Sequence, residues 1–260
     1  MVIDRDTLLA EMGLTPIWKL RRPKAGVSTL APEPRTAGLS SEADGPVATG
    51  GKPRTRGGNT EPEASRVIRI RAMDWPALRQ AVDDCRACAL HSSRGRTVFG
   101  VGDEKAEWLL VGEAPGVEED RQGEPFVGQA GRLLDNMLAA LGLQRGRNVY
   151  IANVLKCRPP GNRNPEPEEI EQCAPHLSRQ IELIRPRLIL GLGRFAAQML
   201  LKSNASIASL RGRAHDYAGI PLVITYHPAY LLRNLPDKSK AWADLLLARH
   251  TLAGSRDAQD

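Results

Sequence analysis

From residue 71 onward, apolar and polar positions fall into alternating blocks. Asp74-Trp75-Pro76 opens a helix that the pattern carries to about Cys88. Residues 108–111 are a short apolar run closed by Gly112, which reads as a buried strand. A helix over 128–141 follows, then a strand over 149–155 and a helix over 167–184. Behind Pro186 come a strand over 187–192 and a helix over 195–201. A mixed segment leads to a strand over 221–226, and a helix near 239–250 closes the chain. Strands separated by helices predict an α/β fold: a three-layer sandwich with a mostly parallel central sheet and helices on both faces. In such sheets ligands gather beyond the carboxyl ends of the strands. Three segments fall there: the loop from Gly112, the segment after residue 155, and His227-Pro228.

Upstream the pattern fails. Residues 20–66 hold 13 Gly plus Pro and no Phe, Tyr or Trp. Such a stretch buries too little apolar surface to offset its ordering entropy, so residues 20–70 are expected to be a disordered linker. Ahead of it, Asp6 can cap a short helix carrying Leu8, Leu9 and Met12, with Ile17 and Trp18 following. Residues 1–19 read either as a docking peptide or as a terminus packed on its own domain. The catalytic-sized unit is then 71–260.

Composition adds exclusions. No run approaches the roughly 20 apolar residues of a membrane span. The N-terminus, with two acids in its first six residues, does not read as a secretory signal, so a cytoplasmic setting is expected. The 36 Lys plus Arg against 30 Asp plus Glu give a mild +6, compatible with a nucleic-acid partner and equally with solubility.

The four cysteines are Cys85, Cys88, Cys157 and Cys173, with intervals of 2, 68 and 15 residues. In a reducing compartment they point to one metal site rather than to disulfides. Spacing alone leaves zinc and an iron–sulfur cluster both open.

The loop from Gly112 to Gly128 is rich in glycine and acids and lacks the Gly-Lys-Ser/Thr of a phosphate-cradling loop. It offers Phe126, a stacking platform for a base or a core plug. Asn153, inside an apolar strand, brings a donor and an acceptor that burial obliges it to use. Pro228 ends the last strand and holds His227 at its tip, where a neutral imidazole can donate to a developing anion. No G-x-G-x-x-G follows any strand, and Gly191-Leu-Gly193 reads as a turn.

Cys-Arg-Ala-Cys at 85–88, GEAPGVEEDRQGEPFVGQAGRLLD at 112–135, YIANVLKCRPPGNRNP at 150–165, Cys173 and HPAYLLRN at 227–234 together resemble a family 4 uracil-DNA glycosylase. The resemblance spans roughly residues 75–250. It implies hydrolysis of the N-glycosidic bond of deoxyuridine in single- or double-stranded DNA, the first step of base excision repair. It implies a structural 4Fe–4S cluster on the four cysteines. It makes Phe126 the stacking aromatic, Asn153 the reader of the uracil edge and His227 the stabiliser of the leaving anion. Glu113 is the candidate for positioning water, and Glu119 and Asn162 extend the set. Gly112 and Ala114 sit in the water-binding motif, and Ala114 stands where other superfamily members carry an Asp. Leu231 is expected to be the wedge that fills the vacated stack, with Leu232 packing inward and Arg233 on phosphate. The enzyme is expected to act as a monomer, residues 1–19 serving a replication or repair protein if they dock at all. The competing reading is a non-catalytic, metal-stapled DNA-binding module.

Overall fold

In the computed structural model, residues 63–257 are described. The expected docking helix and most of the linker lie outside them.

Four apolar runs build the centre: β2 (Trp108–Gly112), β3 (Val149–Asn153), β4 (Leu188–Leu192) and β6 (Ile220–Thr225). They pair in parallel in the order β3-β2-β4-β6. Two short antiparallel edges complete six strands: β1 (Val101–Gly102) beside β3 and β5 (Ala214–Tyr217) beside β6. Both edges escape the apolar pattern. The first is two residues long and the second alternates half-buried with exposed positions.

Strand periodicity divides the apolar side chains between two faces. Leu109, Val111, Tyr150, Ala152, Ile189 and Ile224 face one cluster, shared with Leu177 and Ile181. Trp108, Leu110, Val149, Ile151, Leu190 and Val223 face the other, shared with Leu134, Leu138 and Leu245. The first face is therefore covered by the helix Pro167–Ile184, and the second by Gln129–Ala140 and Lys238–Asp257. The expected three-layer α/β sandwich is what forms.

In chain order the helices are α1 (Glu63–Arg71), α2 (Trp75–Asp83), α3 (Val117–Gln122), α4 (Gln129–Ala140), α5 (Pro167–Ile184), α6 (Arg194–Leu201), α7 (Ile207–Leu210), α8 (Pro228–Arg233) and α9 (Lys238–Asp257). Several boundaries differ from expectation, and two of them matter here. Residues 63–70, assigned to the linker on composition, lie in α1, where Ile70 is buried with Leu78, Val82 and Phe99. Helix α2 stops at Asp83 rather than reaching Cys88. Adjacent acids at 83 and 84 oppose the negative carboxyl end of a helix dipole. Arg94 Nη2 also takes the Asp83 carbonyl at 2.8 Å. Cys85 and Cys88 thus lie in the turn beyond α2 rather than on a helix.

Candidate active site and cysteine cavity

The carboxyl ends of β2, β3, β4 and β6 open into one cleft of about 620 Å³. Glu113, Ala114, Glu119, Phe126, Asn153, Asn162, His227 and Arg233 all line it. Residues from three separate loops are brought together because each follows a parallel strand of the same sheet.

Gly112 lies beneath the cleft. A Cβ there would come within 2.6 Å of Phe126 Cζ and would also meet Asn153 Oδ1. Only glycine lets the Asn153 amide and the Phe126 ring close over the end of β2. Phe126 is a non-glycine residue at φ 56°, a conformation that costs energy and must be held. Arg145 holds it, with Nη1 on the Pro125 carbonyl at 2.8 Å and Nη2 on the Phe126 carbonyl at 2.9 Å. Glu119 holds the other side. Its carboxylate accepts main-chain N–H bonds from Gly116 at 3.1 Å, Val127 at 3.0 Å and Gly128 at 3.1 Å. Both Glu119 oxygens are therefore committed to shaping the loop around Phe126.

His227 stacks beside Phe126, ring centroids 5.5 Å apart. Its Nδ1 lies 3.1 Å from the Ala229 N–H, which can only donate. Nδ1 is therefore the acceptor, and in the neutral ring the proton sits on Nε2. Burial, aided by the nearby Arg233 cation, lowers the His227 pKa to about 4, so the neutral form prevails at neutral pH. Gly193, at φ +89°, passes so close that a Cβ would lie 2.8 Å from His227 Cβ.

Asn153 is 2 % exposed, and its Oδ1 is buried without a hydrogen-bond partner. Such an orphan at the end of a core strand calls for a donor. Glu113 is half-buried at the head of the loop; burial raises its carboxyl above the ordinary value, and Arg194 opposes the rise. Arg194, at the start of α6, lines the cleft and was not expected to. Its signal was its place directly after β4, the one strand end read only as a turn. Tyr226 and Tyr230 also line the cleft, stacked at 5.0 Å. Asn162 is exposed at the rim, where its Oδ1 accepts from Arg158 Nε at 2.7 Å.

The two leucines exchange the orientations expected of them. Leu231 is 1 % exposed and Leu232 is 42 % exposed. The segment is the helix α8, packed on α4, which turns Leu231 into the core. Leu231 cannot reach DNA from there, and the exposed apolar side chain is Leu232. Arg233 is exposed.

Cys85, Cys88, Cys157 and Cys173 line a second, smaller cavity, and all four are free thiols. Burial pushes the thiols of Cys88 and Cys157 up, and that of Cys173 to about 12. Buried thiols stay protonated unless a cation replaces the proton. The sulfurs already receive N–H donors: Cys157 from Arg94 at 3.1 Å, Cys173 from the Lys156 main chain at 3.3 Å, and Cys85 from Arg66 at 3.9 Å. Donors aimed at sulfur are the surroundings of thiolates that bind metal. Among the described residues no three His, Cys, Asp or Glu side chains converge as tightly as a single ion requires. As a donor set, four cysteine sulfurs suit a thiophilic metal or an iron–sulfur cluster.

Residues 99–246 match the family model of the uracil DNA glycosylase superfamily. The chain is 50 % identical over 156 residues to a type-4 uracil-DNA glycosylase of Archaeoglobus fulgidus, covering 57 % of this chain and 78 % of the relative. It is 41 % identical over 183 residues to one of Pyrobaculum aerophilum, covering 67 % and 93 %. It is 46 % identical over 159 residues to one of Thermotoga maritima, covering 60 % and 82 %.

Proposed function

The chain belongs to the uracil DNA glycosylase superfamily, and from that premise we propose that it hydrolyses the N-glycosidic bond of deoxyuridine in DNA, releasing uracil and leaving an abasic site. The observation that carries this reading is the buried, unpartnered Oδ1 of Asn153, a residue that lines the cleft together with His227. Uracil presents an N–H donor flanked by carbonyl acceptors. Its N–H satisfies Asn153 Oδ1 and a carbonyl takes the amide N–H. Cytosine presents an acceptor where uracil has that donor and leaves the buried oxygen unpaired. Such a mismatch can discriminate by a factor of about 10⁴.

The target nucleotide must leave the stack to reach the cleft, at a cost of a few kcal/mol in a duplex. Phe126 then stacks on the base. As the glycosidic bond lengthens, charge passes to uracil and the sugar becomes cationic. His227, neutral with its proton on Nε2, donates to the uracil anion. Its value lies in the transition state, where charge is present. Glu113 faces the sugar side as a carboxylate, orienting water and favouring the cation. Water gives its hydroxyl to the sugar carbon and its proton leaves, while the uracil nitrogen gains one, so the reaction balances. Glu119 keeps Phe126 and Gly116 in place throughout. Arg233, exposed at the cleft, engages phosphate.

Cys85, Cys88, Cys157 and Cys173 would hold a 4Fe–4S cluster. It would supply a rigid, charged staple between the turn after α2, the segment after β3 and α5, and would have no part in bond cleavage. Leu232, in place of Leu231, is the residue we assign to the vacated stack.

The test is incubation with an oligonucleotide carrying one uracil, single-stranded and paired with G or A. Free uracil and an alkali-labile strand are expected, with no release from the same oligonucleotide carrying thymine or cytosine. Tight DNA binding without uracil release would favour the DNA-binding module.

A further inference from the structure

Among the described residues Lys156 is the one buried lysine, 2 % exposed and next in sequence to Cys157. Its Nζ donates to the main-chain oxygen of Asn153 at 2.9 Å and to Gln180 Oε1 at 2.6 Å. Both partners are neutral. Among the described residues, no carboxylate pairs with it. A buried ammonium without an opposite charge is disfavoured and is stabilised by an anion nearby. The groups that can supply it are the thiols on either side: Cys157 is the next residue, and Cys173 Sγ accepts the Lys156 main-chain N–H at 3.3 Å. Arg94 and Arg66 also reach cysteine sulfurs, but from less buried positions. Gln180 Nε2 continues the chain of bonds to the Phe99 carbonyl at 2.9 Å and so anchors it to the core. One buried cation thus lies between the cysteine cavity and the residue that reads the base.

We infer that Lys156 is the internal counter-charge of the group held by the four cysteines and, through the main chain of Asn153, a positioning residue for uracil recognition. The inference rests on the proposed cluster and uracil pocket. It makes the cysteine site a support for Asn153 as well as for the fold. Loss of negative charge at the cysteines leaves Lys156 unpaired and frees the end of β3.

Two variants separate the parts. Lys156→Met removes charge and donor with little change of volume. Lys156→Gln removes the charge and keeps an N–H for the Asn153 carbonyl. The readouts are the cluster's reduction potential in a spectroscopic redox titration and the inhibition constant of free uracil in the glycosylase assay. A cation beside a cluster favours its electron-rich state, so both variants should shift the potential to more negative values. Lys156→Met should weaken uracil binding by about tenfold, the scale of one hydrogen bond to a charged group. Lys156→Gln should stay within about threefold of the parent, the spread of a neutral hydrogen bond. An unchanged potential in either variant, or unchanged uracil affinity in Lys156→Met, overturns the inference. If Lys156→Met does not fold, the potential of Lys156→Gln decides. A parent protein that is colourless, or releases no uracil, instead overturns the proposed function and the inference with it.

Discussion

His227 has one ring proton to place, and a main-chain N–H places it. Because Ala229 donates to Nδ1, the ring's own donor is Nε2–H, and a pKa of about 4 keeps it neutral. Glu113 lies on the opposite side of the pH argument. Burial raises its carboxyl above 4.5, and the mechanism needs it ionised. As pH falls, the rate should therefore drop first through the Glu113 pKa, above 4.5. In Glu113→Gln that acid limb should vanish, and the slower residual rate should hold until pH nears the His227 value of about 4. Initial rates across that range check it; an acid limb surviving in Glu113→Gln would move the titration to another group. None of this was legible in the sequence beyond the residue types. His227 and Asn153 stood out because a polar residue at the end of an apolar run must find a partner. The tautomer and the orphaned oxygen are tertiary facts. Lys156 was invisible, since a lysine beside Cys-Arg-Pro-Pro reads as a solvated loop residue.

At the scale of elements, α8 shows where pattern reading fails. Leu231 and Leu232 are adjacent and identical, and a six-residue helix is too short for its apolar face to be read from spacing. Packing on α4 decides which leucine turns inward. Leu231→Ala should then cost about 2–5 kcal/mol of stability, seen in thermal or denaturant unfolding, with no preference among DNA substrates. Leu232→Ala should leave unfolding near the parent. It should slow excision most from U:A duplexes, less from U:G and least from single strands, following the cost of exposing the base. Equal slowing on all three would remove the wedge role. The loop before α4 makes a second case. Gly112→Ala would drive a methyl into Phe126 and Asn153, so uracil excision should fall by at least about 10²-fold, the penalty for a misplaced catalytic group. The long buried strands and α4, α5 and α9 were legible because they repeat their period over several turns or a whole core run. The two-residue β1, the half-exposed β5 and the polar α3 carry too few apolar positions to announce themselves.

For the whole molecule, the layers follow from alternating apolar runs, and the cleft from the carboxyl ends of four parallel strands. The cysteine spacing announced one site, and the fold brings all four thiols to one cavity although 68 residues separate the two pairs. Helix α1 was missed because linker-like composition ran up to its start, and Ile70 gains a partner only in the folded chain. Purified protein should be brown, with about four irons per chain for this cluster type. Cys→Ala at any of the four should lower the folded yield, since metal binding is coupled to folding. Colourless protein with one zinc would sink the cluster.

The central claim is that Asn153 and His227 form a pocket that takes uracil and releases it as an anion. Single-turnover uracil release by the parent and by His227→Ala, with DNA affinity measured on the same oligonucleotide, tests it most directly. The account predicts rapid release by the parent and a loss of about 10²–10³-fold in the variant, with affinity nearly unchanged, because the imidazole acts on charge that exists only in the transition state. Equal losses in rate and affinity, or no uracil from the parent, would contradict it.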